Sequence, residues 1–593
     1  MQRVELDSVT LYNAFVSGGR EIIRRREEIN KINVFPVADG DTGTNLALTM
    51  GSVVERSSPR PTAGQTMRSM ADAALSGARG NSGIIFAQFL AGLGESMGER
   101  PSVSSEGFAE AARHAERRAR EAVLAPVEGT ILTVIGDWVR SLEEHQHLRD
   151  FGLIFQRTLR GAKRSLDRTP ELLPALKKAG VVDAGAEGFV RFLSGATEYL
   201  VSDASALPSG AAGAEASLAE LPPSIHGGEY PAFRYCVELL LRGEGIDLGK
   251  LRAELAGLGD CGIAAGGGGR ARVHVHSDDP ALVLRRLSAY GAVEEQKVDD
   301  MLREYEVVHA RKHPIALVTD SACDLPKALL DEHQIHVLPL SINLGSAAYL
   351  DGLTIGNEDI YAALESGGPS PTSSQPSPAA ARLLYSFLST YYESIIAIHV
   401  SAKLSGTYSL SSREAERFPG KRISVVDSRL NSGAQALLVL RAAELIAAGK
   451  GHDEVLAALE SSIPKARILV AVPTLRHMVK GGRVGPLKGA LARLLNLKPI
   501  VSLDEAGGSA LRGAAFSMRR CAARIVRLAA EFAGGGELRA YGVVHAGDPE
   551  AARDFAARLE AALGKKPLFI QEISSVIALN AGRGALAAVL MKE

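Results

Sequence analysis

"NVFPVADGDTGTNL", residues 33–46, is the segment from which the fold and chemistry of the first third of the chain are best predicted. It places two carboxylates, Asp39 and Asp41, two positions apart across a single glycine. In a turn both side chains can point at one cation, and carboxylate oxygens are ligands that the hard ion Mg²⁺ prefers. Thr44 and Asn45 add neutral oxygens and backbone N–H donors. Taken alone, these residues fit a solvated Asp-Gly turn and a metal site equally well.

Three further polar loops that contain glycine follow between segments with helical apolar spacing. They are "GARGNSGII" (77–85), "PVEGTILTV" (126–134) and "GVVDAGAEG" (180–188). Free N–H groups at a helix N-terminus bind anions, and glycine lets a phosphate approach the backbone. A mostly helical domain over residues 1–201 with such loops is therefore expected to bind a nucleotide at one end.

The bulk composition limits the class of protein. A chain of 593 residues is expected to form about three or four domains. With 46% hydrophobic residues, 23% charged residues and a net charge of −1, it has the composition of a soluble globular protein. The net charge gives no reason to expect binding to nucleic acid or to an anionic membrane surface.

Localisation is predicted from what the sequence lacks. The N-terminal residues are charged from the start and have no long apolar run, so no signal peptide is expected. No apolar stretch reaches about 18 residues, so no integral membrane association is expected. The four cysteines are scattered and do not form a disulfide framework. We therefore expect a cytoplasmic protein.

Composition changes mark the domain boundaries after residue 201. Residues 202–224 are small, polar and interrupted by prolines, which predicts a linker. Residues 225–312 alternate strand-like and helical segments and predict a small α/β module. Within it, the glycine run 266–269 is predicted as a hairpin turn, because no helix follows it.

Residues 313–593 repeat a short apolar run, a polar loop and a helix. This order predicts an α/β domain with a largely parallel sheet covered by helices. Ligands bind such sheets beyond the carboxyl ends of the strands. Polar residues are expected at those ends, namely Thr319–Ser321, Ser401–Tyr408, Asp427–Ser428 and His545.

The first domain resembles a known family. "NVFPVADGDTGTN", "GARGNSG", "PVEGTILTV" and "TPELLPALKKAGVVDAG" are similar, in the same order, to the nucleotide-binding domain of the fatty acid kinase A subunit. That domain is of the dihydroxyacetone kinase L-subunit (DhaL) type. The resemblance implies an all-α barrel of eight helices whose loops hold ATP through two Mg²⁺ ions, and a homodimer formed through this domain.

The resemblance also implies roles for single residues. Asp39 and Asp41 would ligate Mg²⁺, and Asn33 would contribute to the same site. Glu187 departs from the pattern, because related sequences more often have Lys or Gln at its position, and an added carboxylate would repel phosphates. ATP affinity then depends on whether Glu187 points inward. The residues expected to contact the phosphates are Thr44, Asn45, Ser82 and Gly83, and those expected to border the nucleoside are Thr130, Asp183 and Gly185.

Cys236, His274 and His276 are candidate zinc ligands in the middle module. Residues two apart on a strand share a face, so both imidazoles can reach one ion, and a thiolate from an adjacent strand suits Zn²⁺. The residues alone favour two surface histidines and a buried cysteine. The module, however, is similar to the middle domain of the fatty acid kinase A subunit, where a cysteine and a V-H-V-H pair hold zinc. This implies a structural Zn²⁺. The sequence shows no evident fourth ligand, and Asp278 and water are the candidates for it.

The C-terminal domain resembles the DegV family, the fatty-acid-binding B subunits of the same kinase system. The resemblance is carried by "VTDSACDLP", "PTSSQPSP", "SAKLSGTYS", "KGGRVG" and "LLNLKPI", from Pro314 to the end. It implies that an acyl chain lies in a tunnel with its carboxylate at the rim. Burial of an acyl tail is favourable by about 0.8 kcal/mol per methylene. A buried carboxylate, in turn, must be hydrogen-bonded or paired.

By motif position, Ser373 and Ser405 would bond this carboxylate, and Arg483 would supply positive charge. Taken singly, each serine fits a helix cap and the arginine fits a surface position. Asn580 stands where the family usually has a histidine, and Arg583 stands where it has a proline. Asparagine donates a hydrogen bond but carries no charge, so Arg583 is a candidate to replace that charge.

These expectations lead to one preferred function and two alternatives. The preferred function is an ATP-dependent kinase that converts a bound fatty acid to acyl phosphate and ADP, with Asp39, Asp41 and Arg483 acting on the transferred group. One alternative is a lipid-binding carrier with a degenerate or regulatory nucleotide domain. The other is a dihydroxyacetone-type kinase of a small hydroxyketone.

Overall fold

The computed structural model of the protein describes residues 3–35, 40–202, 230–267, 269–345, 347–366, 368–483 and 497–593. All but the first residue of the predicted linker lies outside the described residues. The chain divides into two compact units, Met1–His309 and Ala310–Glu593, which are described separately. In the described ranges, no helix combines the length and the apolar character needed to span a bilayer.

Helices dominate the first part of the first unit. The short strands Glu5–Asp7 (β1) and Ser102–Ser104 (β2) pair antiparallel beside them. The helices are Ser8–Lys31 (α1), Thr42–Arg56 (α2), Ala63–Gly77 (α3), Gly80–Met97 (α4), Ser105–Glu121 (α5), Ile131–His145 (α6), Phe151–Asp167 (α7), Thr169–Leu172 (α8), Pro174–Ala179 (α9) and Ala184–Val201 (α10). Helices α1 to α7 each pack on the next, α7 packs on α10, and α10 packs on α1. This closed ring of eight long helices confirms the predicted all-α barrel.

Aromatic side chains fill the interior of the ring. Phe86 and Phe192 meet edge to face with ring centroids 4.9 Å apart, and Phe89 and Phe189 do so at 5.5 Å. Trp138 packs edge to face on Phe189 at 5.6 Å. All five are buried. Such pairs contribute about 0.5–1.5 kcal/mol each beyond their area burial, so the centre of the barrel is a specific packing arrangement.

Glycine permits the contact that closes the ring. A Cβ on Gly18 of α1 would lie 2.6 Å from both a ring carbon and the carbonyl oxygen of Phe192 on α10. A Cβ on Gly195 of α10 would lie 2.6 Å from the carbonyl oxygen of Ser17. Real Cβ atoms do not approach backbone this closely, so the first and last helices touch where neither has a side chain.

The middle module completes the first unit. Its elements are Tyr235–Arg242 (β3), Leu248–Leu255 (α11), Asp260–Gly267 (β4), Arg270–Ser277 (β5), Pro280–Leu287 (α12), Ala292–Asp300 (β6) and Met301–His309 (α13). The strands form one antiparallel sheet in the order β4-β5-β3-β6. Gly267 lies opposite Arg270, so β4 and β5 form the predicted hairpin.

The second unit alternates strands and helices. Its strands are Ile315–Asp320 (β7), His336–Leu338 (β8), Ser341–Leu344 (β9), Ala347–Leu350 (β10), Thr372–Ser374 (β11), Ser394–His399 (β12), Arg422–Asp427 (β13), Ala466–Ala471 (β14), Lys498–Leu503 (β15), Ser509–Ala515 (β16), Leu538–His545 (β17), Ile570–Glu572 (β18) and Leu586–Lys592 (β19). Its helices are Lys327–Glu332 (α14), Asn357–Glu365 (α15), Pro378–Tyr391 (α16), Thr407–Ala415 (α17), Ser432–Ala447 (α18), His452–Ser462 (α19), Arg476–Lys480 (α20), Met518–Gly534 (α21), Pro549–Leu563 (α22) and Ser575–Ala581 (α23).

Two larger sheets organise this unit. Strands β13-β12-β7-β8 are all parallel, which confirms the predicted parallel sheet. Strands β7 and β12 are buried along their whole length, as their nearly continuous apolar sequences require. The second sheet, β16-β15-β14-β19-β17-β18, was not expected and is antiparallel except between β17 and β18. A three-stranded antiparallel sheet, β10-β9-β11, accompanies them.

Helix α18 packs against both of the larger sheets. It packs on β7 of the parallel sheet and on β14, β17 and β19 of the second sheet. Most of its residues are buried, in keeping with a helix that is apolar on nearly every side. A Cβ on Gly433 would lie 2.9 Å from Val544 and 3.1 Å from Val589, so the helix approaches the second sheet closely.

The contact between α1 and α10 yields a stability prediction. Replacing Gly18 with alanine forces a Cβ against Phe192, which we expect to lower the free energy of unfolding of the first unit by about 1–3 kcal/mol. The melting temperature, followed by scanning calorimetry, should fall by about 2–4 °C per kcal/mol.

Gly136→Ala on α6 is the matched control, because its Cβ meets only Glu116 Oε1 at 3.7 Å. Alanine at that helical position should stabilise the protein by about 0.5–1 kcal/mol. A Gly18→Ala protein that melts at or above the wild-type temperature contradicts the close approach.

Candidate functional site

Four helices of the barrel begin close together. A Cβ on Gly80, at the start of α4, would lie 2.5 Å from Asn45 Nδ2 on α2. A Cβ on Gly185, at the start of α10, would lie 2.8 Å from Ser82 Oγ on α4 and 3.4 Å from Ile131 Cβ at the start of α6. Free N–H groups and the helix dipole make each N-terminus attractive to anions. The loops predicted from the sequence therefore meet at one end of the barrel, where several helix N-termini face the same region.

The loop before α2 is held by a polar network. Thr42 Oγ1 donates to Asn33 Oδ1 at 2.8 Å, and Asn45 Nδ2 donates to Asp41 Oδ2 at 2.6 Å. Asn33 and Asp41 are buried. Asp39 lies outside the described residues. The structure thus brings Asn33, Asp41 and Asn45 together at the N-terminus of α2.

Asn30, near the end of α1, adds a contact that no motif indicated. Its Nδ2 donates to Thr44 Oγ1 at 2.9 Å, and its Oδ1 accepts from Thr44 N at 3.0 Å. A Cβ on Gly43 would lie 2.1 Å from the carbonyl oxygen of Arg26 and 2.7 Å from Asn30 Oδ1. The first turn of α2 is therefore fixed directly against α1, which explains the glycine within "DTGTN".

The donor set of this loop fits a hard cation. Asp41 carries two carboxylate oxygens and Asn33 an amide oxygen, and oxygen atoms are the ligands that Mg²⁺ prefers. Asn81 Oδ1, at the start of α4, is buried and has no hydrogen-bond partner among the described residues. A buried acceptor of this kind calls for a donor or a cation. The residues present therefore suit a magnesium-bound polyanion.

Thr130 and Asp183 are the N-caps of α6 and α10. Thr130 Oγ1 donates to Val127 O at 2.8 Å and accepts from Leu132 N at 3.4 Å. Asp183 Oδ1 accepts from Ala186 N at 2.8 Å. Burial raises the pKa of Asp183 to about 7, although its backbone hydrogen bonds act in the opposite direction. These two side chains therefore fix the starts of the helices that close the site.

Glu187 does not lie unpaired beside the phosphate loops. Arg191 Nε donates to Glu187 Oε1 at 2.6 Å, one turn further along α10. Arg191 Nη2 also lies 3.7 Å from Glu28 Oε2 on α1. The carboxylate is thus neutralised within its own helix, which offsets the repulsion that its sequence position suggested.

Cys236, His274 and His276 meet in the middle module. Cys236 lies opposite His276 in the register of β3 and β5. Cys236 Sγ is 3.7 Å from His274 Nδ1, and the two Nε2 atoms of the histidines are 3.2 Å apart. One ligand atom of each residue lies within 4.8 Å of the others, and all three residues are buried. A thiolate and two imidazoles at this spacing suit Zn²⁺.

Two further candidate ligands, Asp260 and Cys261, come from β4, whereas Asp278 is engaged elsewhere. Asp278 Oδ1 accepts from the backbone N of Arg234 at 2.8 Å. Asp260 Oδ1 lies 3.1 Å from His276 Nδ1, and one ligand atom each of Asp260, Cys261 and His276 lies within 4.8 Å of the others. Cys261 also has φ +52°, a conformation that is rare for a non-glycine residue. Its side chain is therefore held beside the cluster by an unusual backbone geometry.

The electrostatics of the cluster favour a cation. Burial lowers the pKa of His274, but neighbouring Cys236 and Glu238 raise it overall to about 9. Burial likewise lowers the pKa of His276, and Asp260 helps to raise it overall to about 11. The acidic groups thus stabilise positive charge on two buried imidazoles. A divalent ion supplies the same compensation and displaces those protons.

The second unit contains a cavity of about 930 Å³, including its open mouth. All four residues predicted to bind the carboxylate line it, although they come from separate elements: Ser373 on β11, Ser405 before α17, Arg483 after α20 and Asn580 on α23. The walls are mainly aliphatic and include Leu340, Val400, Leu404, Ile468, Val544 and Ile573. A mostly apolar cavity with a few polar groups is suited to an amphipathic ligand.

Arg483 is hydrogen-bonded to residues of two different segments that line the cavity. Its Nε donates to Leu404 O at 3.4 Å, and its carbonyl accepts from Ser509 Oγ at 2.7 Å. Ser405 Oγ, in the same loop as Leu404, lies 2.8 Å from Thr407 Oγ1. The guanidinium is thus positioned beside the loop that carries Ser405, where it can pair with a carboxylate.

Asn580 and Arg583 take different positions. Asn580 Nδ2 donates to Val576 O at 3.1 Å, while its Oδ1 is buried and, within the described chain, has no hydrogen-bond partner. Arg583 pairs with Glu358 at 2.6 Å and stacks on Tyr361. It is not among the residues that line the cavity. The expectation that Arg583 replaces the charge of the missing histidine is therefore wrong, because its charge is used in surface ion pairs.

The polar residues at the strand ends mostly hold the backbone together. Asp320 Oδ2 lies 3.0 Å from His399 Nδ1 and accepts from Val400 N at 2.8 Å. His399 Nε2 lies 2.7 Å from Ser411 Oγ, which in turn contacts the hydroxyl of Tyr385. These four side chains are almost completely buried. Of the predicted strand-end residues in the described ranges, Ser405 is one that lines the cavity, whereas Asp320 joins β7 to β12.

Three family models match consecutive parts of the chain. The model of the DAK2 domain matches residues 36–198, and the model of the middle domain of fatty acid kinase A-subunit-like proteins matches residues 232–308. The model of the DegV family, described as uncharacterised proteins, matches residues 314–593.

Individual proteins match parts of the chain as well. Protein YloV of Bacillus subtilis (strain 168) is 32% identical over 316 residues, which are 51% of this chain and 56% of that protein. An uncharacterized protein of Staphylococcus saprophyticus is 30% identical over 320 residues, 52% of this chain and 58% of that protein. The chain therefore spans little more than half of the length of these curated relatives.

One solved structure, described as fatty acid binding of a DegV family protein from Thermus thermophilus, is 32% identical with a TM-score of 0.45. That match covers 47% of this chain and 100% of the Thermus protein. The three family models together account for most of the chain, in one continuous order. From residue 314 onward the chain therefore belongs to the DegV family, and ahead of that domain it carries a DAK2 domain and a middle domain of the fatty acid kinase A-subunit-like type.

Proposed function

We propose that this protein is an ATP-dependent kinase that phosphorylates the carboxylate of a fatty acid held in the second unit. The observation that carries the proposal is the pairing, in one chain, of two complementary sites. The first is an anion site at converging helix N-termini, and the second is an aliphatic cavity that contains an arginine. Tethering raises the effective concentration of one site near the other to about millimolar.

The barrel would bind ATP through its phosphates. Asn33 and Asp41, together with Asp39, would hold Mg²⁺, which neutralises phosphate charge. Backbone N–H groups in the first turn of α4, which contains Ser82 and Gly83, bind the phosphate oxygens. At the start of α2 the N–H groups of Thr44 and Asn45 are already donated to Asn30 Oδ1 and Asp41 O, so these two residues contribute through their side chains. Thr130, Asp183 and Gly185 border the nucleoside.

The cavity of the second unit would bind the acyl substrate. Its aliphatic wall removes the tail from water, at about 0.8 kcal/mol per methylene. Ser373 and Ser405 donate hydrogen bonds to the carboxylate, and Arg483 balances its charge. Asn580 is a neutral neighbour that donates one of its two amide N–H groups to Val576 O.

The chemistry needs no strong base. One carboxylate oxygen attacks the γ-phosphorus, a new P–O bond forms, and the bond from that phosphorus to the β–γ bridging oxygen breaks. ADP leaves with the bonding electron pair, and the acyl phosphate remains. Because the carboxylate is already ionised near neutral pH, the protein only has to position the groups and neutralise charge.

The first prediction concerns phosphoryl transfer. With oleate, Mg²⁺ and labelled ATP, the full chain should form acyl phosphate. Asp41→Asn should lower kcat by about 100-fold or more, because it removes charge from the metal-binding loop. Asp72→Asn, an exposed carboxylate on α3, is the matched control and should keep wild-type turnover.

Two other results decide between the alternatives. Lipid that purifies with the protein but is never phosphorylated identifies a carrier with an inactive nucleotide domain. Phosphorylation of dihydroxyacetone without phosphorylation of any fatty acid overturns the acyl acceptor and identifies a hydroxyketone kinase.

The second prediction concerns the carboxylate. Arg483→Gln should weaken oleate binding by about 10- to 100-fold, the size expected when a charged hydrogen bond of about 1.5–3 kcal/mol is lost. Displacement of a fluorescent fatty acid measures the affinity. Arg583→Gln removes an arginine that pairs with Glu358 and should leave the affinity unchanged. Equal affinities for both variants contradict the proposed role of Arg483.

The third prediction concerns a structural Zn²⁺ ion in the middle module, with Cys261 as the fourth ligand. Elemental analysis should find about one zinc ion per chain, and a chelator should lower the melting temperature. Cys236→Ala should abolish zinc binding, and Cys261→Ala should weaken it. Asp278→Asn is the control and should retain the metal. If Cys261→Ala retains zinc with wild-type affinity, the fourth ligand is not Cys261.

A further inference from the structure

The middle module holds the glycine-rich loop at the start of α4. Glu238 Oε1 on β3 accepts from the backbone N of Gly80 at 2.9 Å. Arg272 on β5 donates from Nε and Nη2 to the carbonyl oxygen of Ala78, at 3.0 and 2.9 Å. Glu238 is 5% exposed and Arg272 is 1% exposed. Two buried charged side chains therefore bind consecutive parts of the loop that is expected to contact phosphate.

Glu238 supplies a helix cap that the loop itself lacks. Gly80 is the first residue of α4, and the residue before it, Arg79, makes no side-chain capping bond. Gly80 has φ +58°, and a Cβ there would meet Asn45 Nδ2 at 2.5 Å. The loop is thus bounded by α2 on one side and bonded to the middle module on the other. Its geometry, and with it the direction of the N–H groups of Asn81–Gly83, depends on both.

The charge on Glu238 suits this position. Arg79 Nη1, in the residue before Gly80, lies 4.0 Å from Glu238 Oε2. A carboxylate at a helix N-terminus interacts favourably with the helix dipole.

The same carboxylate faces the metal-ligand cluster. Glu238 lies opposite His274 in the register of β3 and β5, and Glu238 Oε1 is 3.5 Å from His274 Nδ1. Cys236, two residues earlier on β3, shares the cluster with His274. One oxygen atom thus lies between the Gly80 amide and an imidazole of the candidate zinc site.

We propose that Glu238 is a positioning residue through which the metal cluster of the middle module sets the geometry, and hence the nucleotide affinity, of the Ala78–Gly83 loop. The inference rests on the proposed nucleotide site and adds its regulation. An ordered His274 holds Glu238, and Glu238 holds the Gly80 amide. Loss of the metal frees His274 and loosens the loop without any change in the residues that touch the nucleotide.

Two measurements on the full chain test this proposal. The first is hydrogen–deuterium exchange of residues 78–84, which reports on the loop with no nucleotide present. Exchange should be at least about fivefold faster in Glu238→Ala, because the Gly80 amide has lost its acceptor. The second is the Kd of a non-hydrolysable ATP analogue with Mg²⁺, which should rise by about 5- to 30-fold, as loss of a helix cap implies.

Two further variants serve as a control and as a replacement in case Glu238→Ala does not fold. Glu254→Gln on α11, which pairs with Arg286 in the same module, should behave as wild type in both measurements. Glu238→Gln keeps the shape of the side chain and serves if the alanine variant fails to fold. Zinc content should stay at the wild-type level in both Glu238 variants, since Glu238 is not proposed as a ligand.

Metal removal supplies the test of coupling. A zinc chelator should raise the Kd of the ATP analogue for the wild type. It should change that Kd little for Glu238→Gln, because two perturbations that act through the same residue do not have additive effects. If the wild type binds no nucleotide, the proposed kinase fails, while exchange still reports on the loop. If the wild type binds nucleotide, and the Glu238 variants match it in Kd and in exchange, this inference fails and the kinase stands.

Discussion

The backbone contact between α1 and α10 at Gly18 and Gly195 is the constraint on which the first unit depends. A helical ring can close only if its first and last members approach each other, and a side chain at either position would hold them apart. Closure brings the start of α10 beside the starts of α4 and α6. The grouping of helix N-termini at one end of the barrel is therefore a product of ring closure, and the loop motifs come together only once that contact exists.

The second unit depends on the packing of one buried helix. Helix α18 is apolar on nearly all sides because it packs between a parallel and a mostly antiparallel sheet. Strands β14, β17 and β19 of the second sheet, helix α23 and residues that follow β7 and β12 of the parallel sheet line an aliphatic cavity. Polar groups reach it from elements that are far apart in sequence: Ser373 lies on β11, Arg483 follows α20 and Asn580 lies on α23.

The sequence was informative where chemistry is local. Asp41 and Asn45 of "DGDTGTN", which the sequence assigned to one site, do lie together in a polar network, and the alternation in "VHVH" predicted two histidines on one strand face. Prediction failed where partners are distant. Glu358 lies 225 residues from Arg583, and Gly80 lies 158 residues from Glu238. Cys261 reaches the cluster through an irregular register between β4 and β5. Pairings of this kind are set by tertiary packing, which leaves no periodic signal in a single sequence.

The buried chain of Asp320, His399 and Ser411 has the connectivity of a hydrolytic triad, with a carboxylate on one imidazole nitrogen and a serine hydroxyl on the other. Its environment gives it another role. Tyr385 covers the serine hydroxyl, and none of these groups reaches solvent, so no ester can approach Ser411 Oγ. In hydrolases with an open cleft the same three residue types cleave bonds. Here their hydrogen bonds join strands β7 and β12 to helix α17. Access, rather than connectivity, is what separates a nucleophile from a structural hydroxyl.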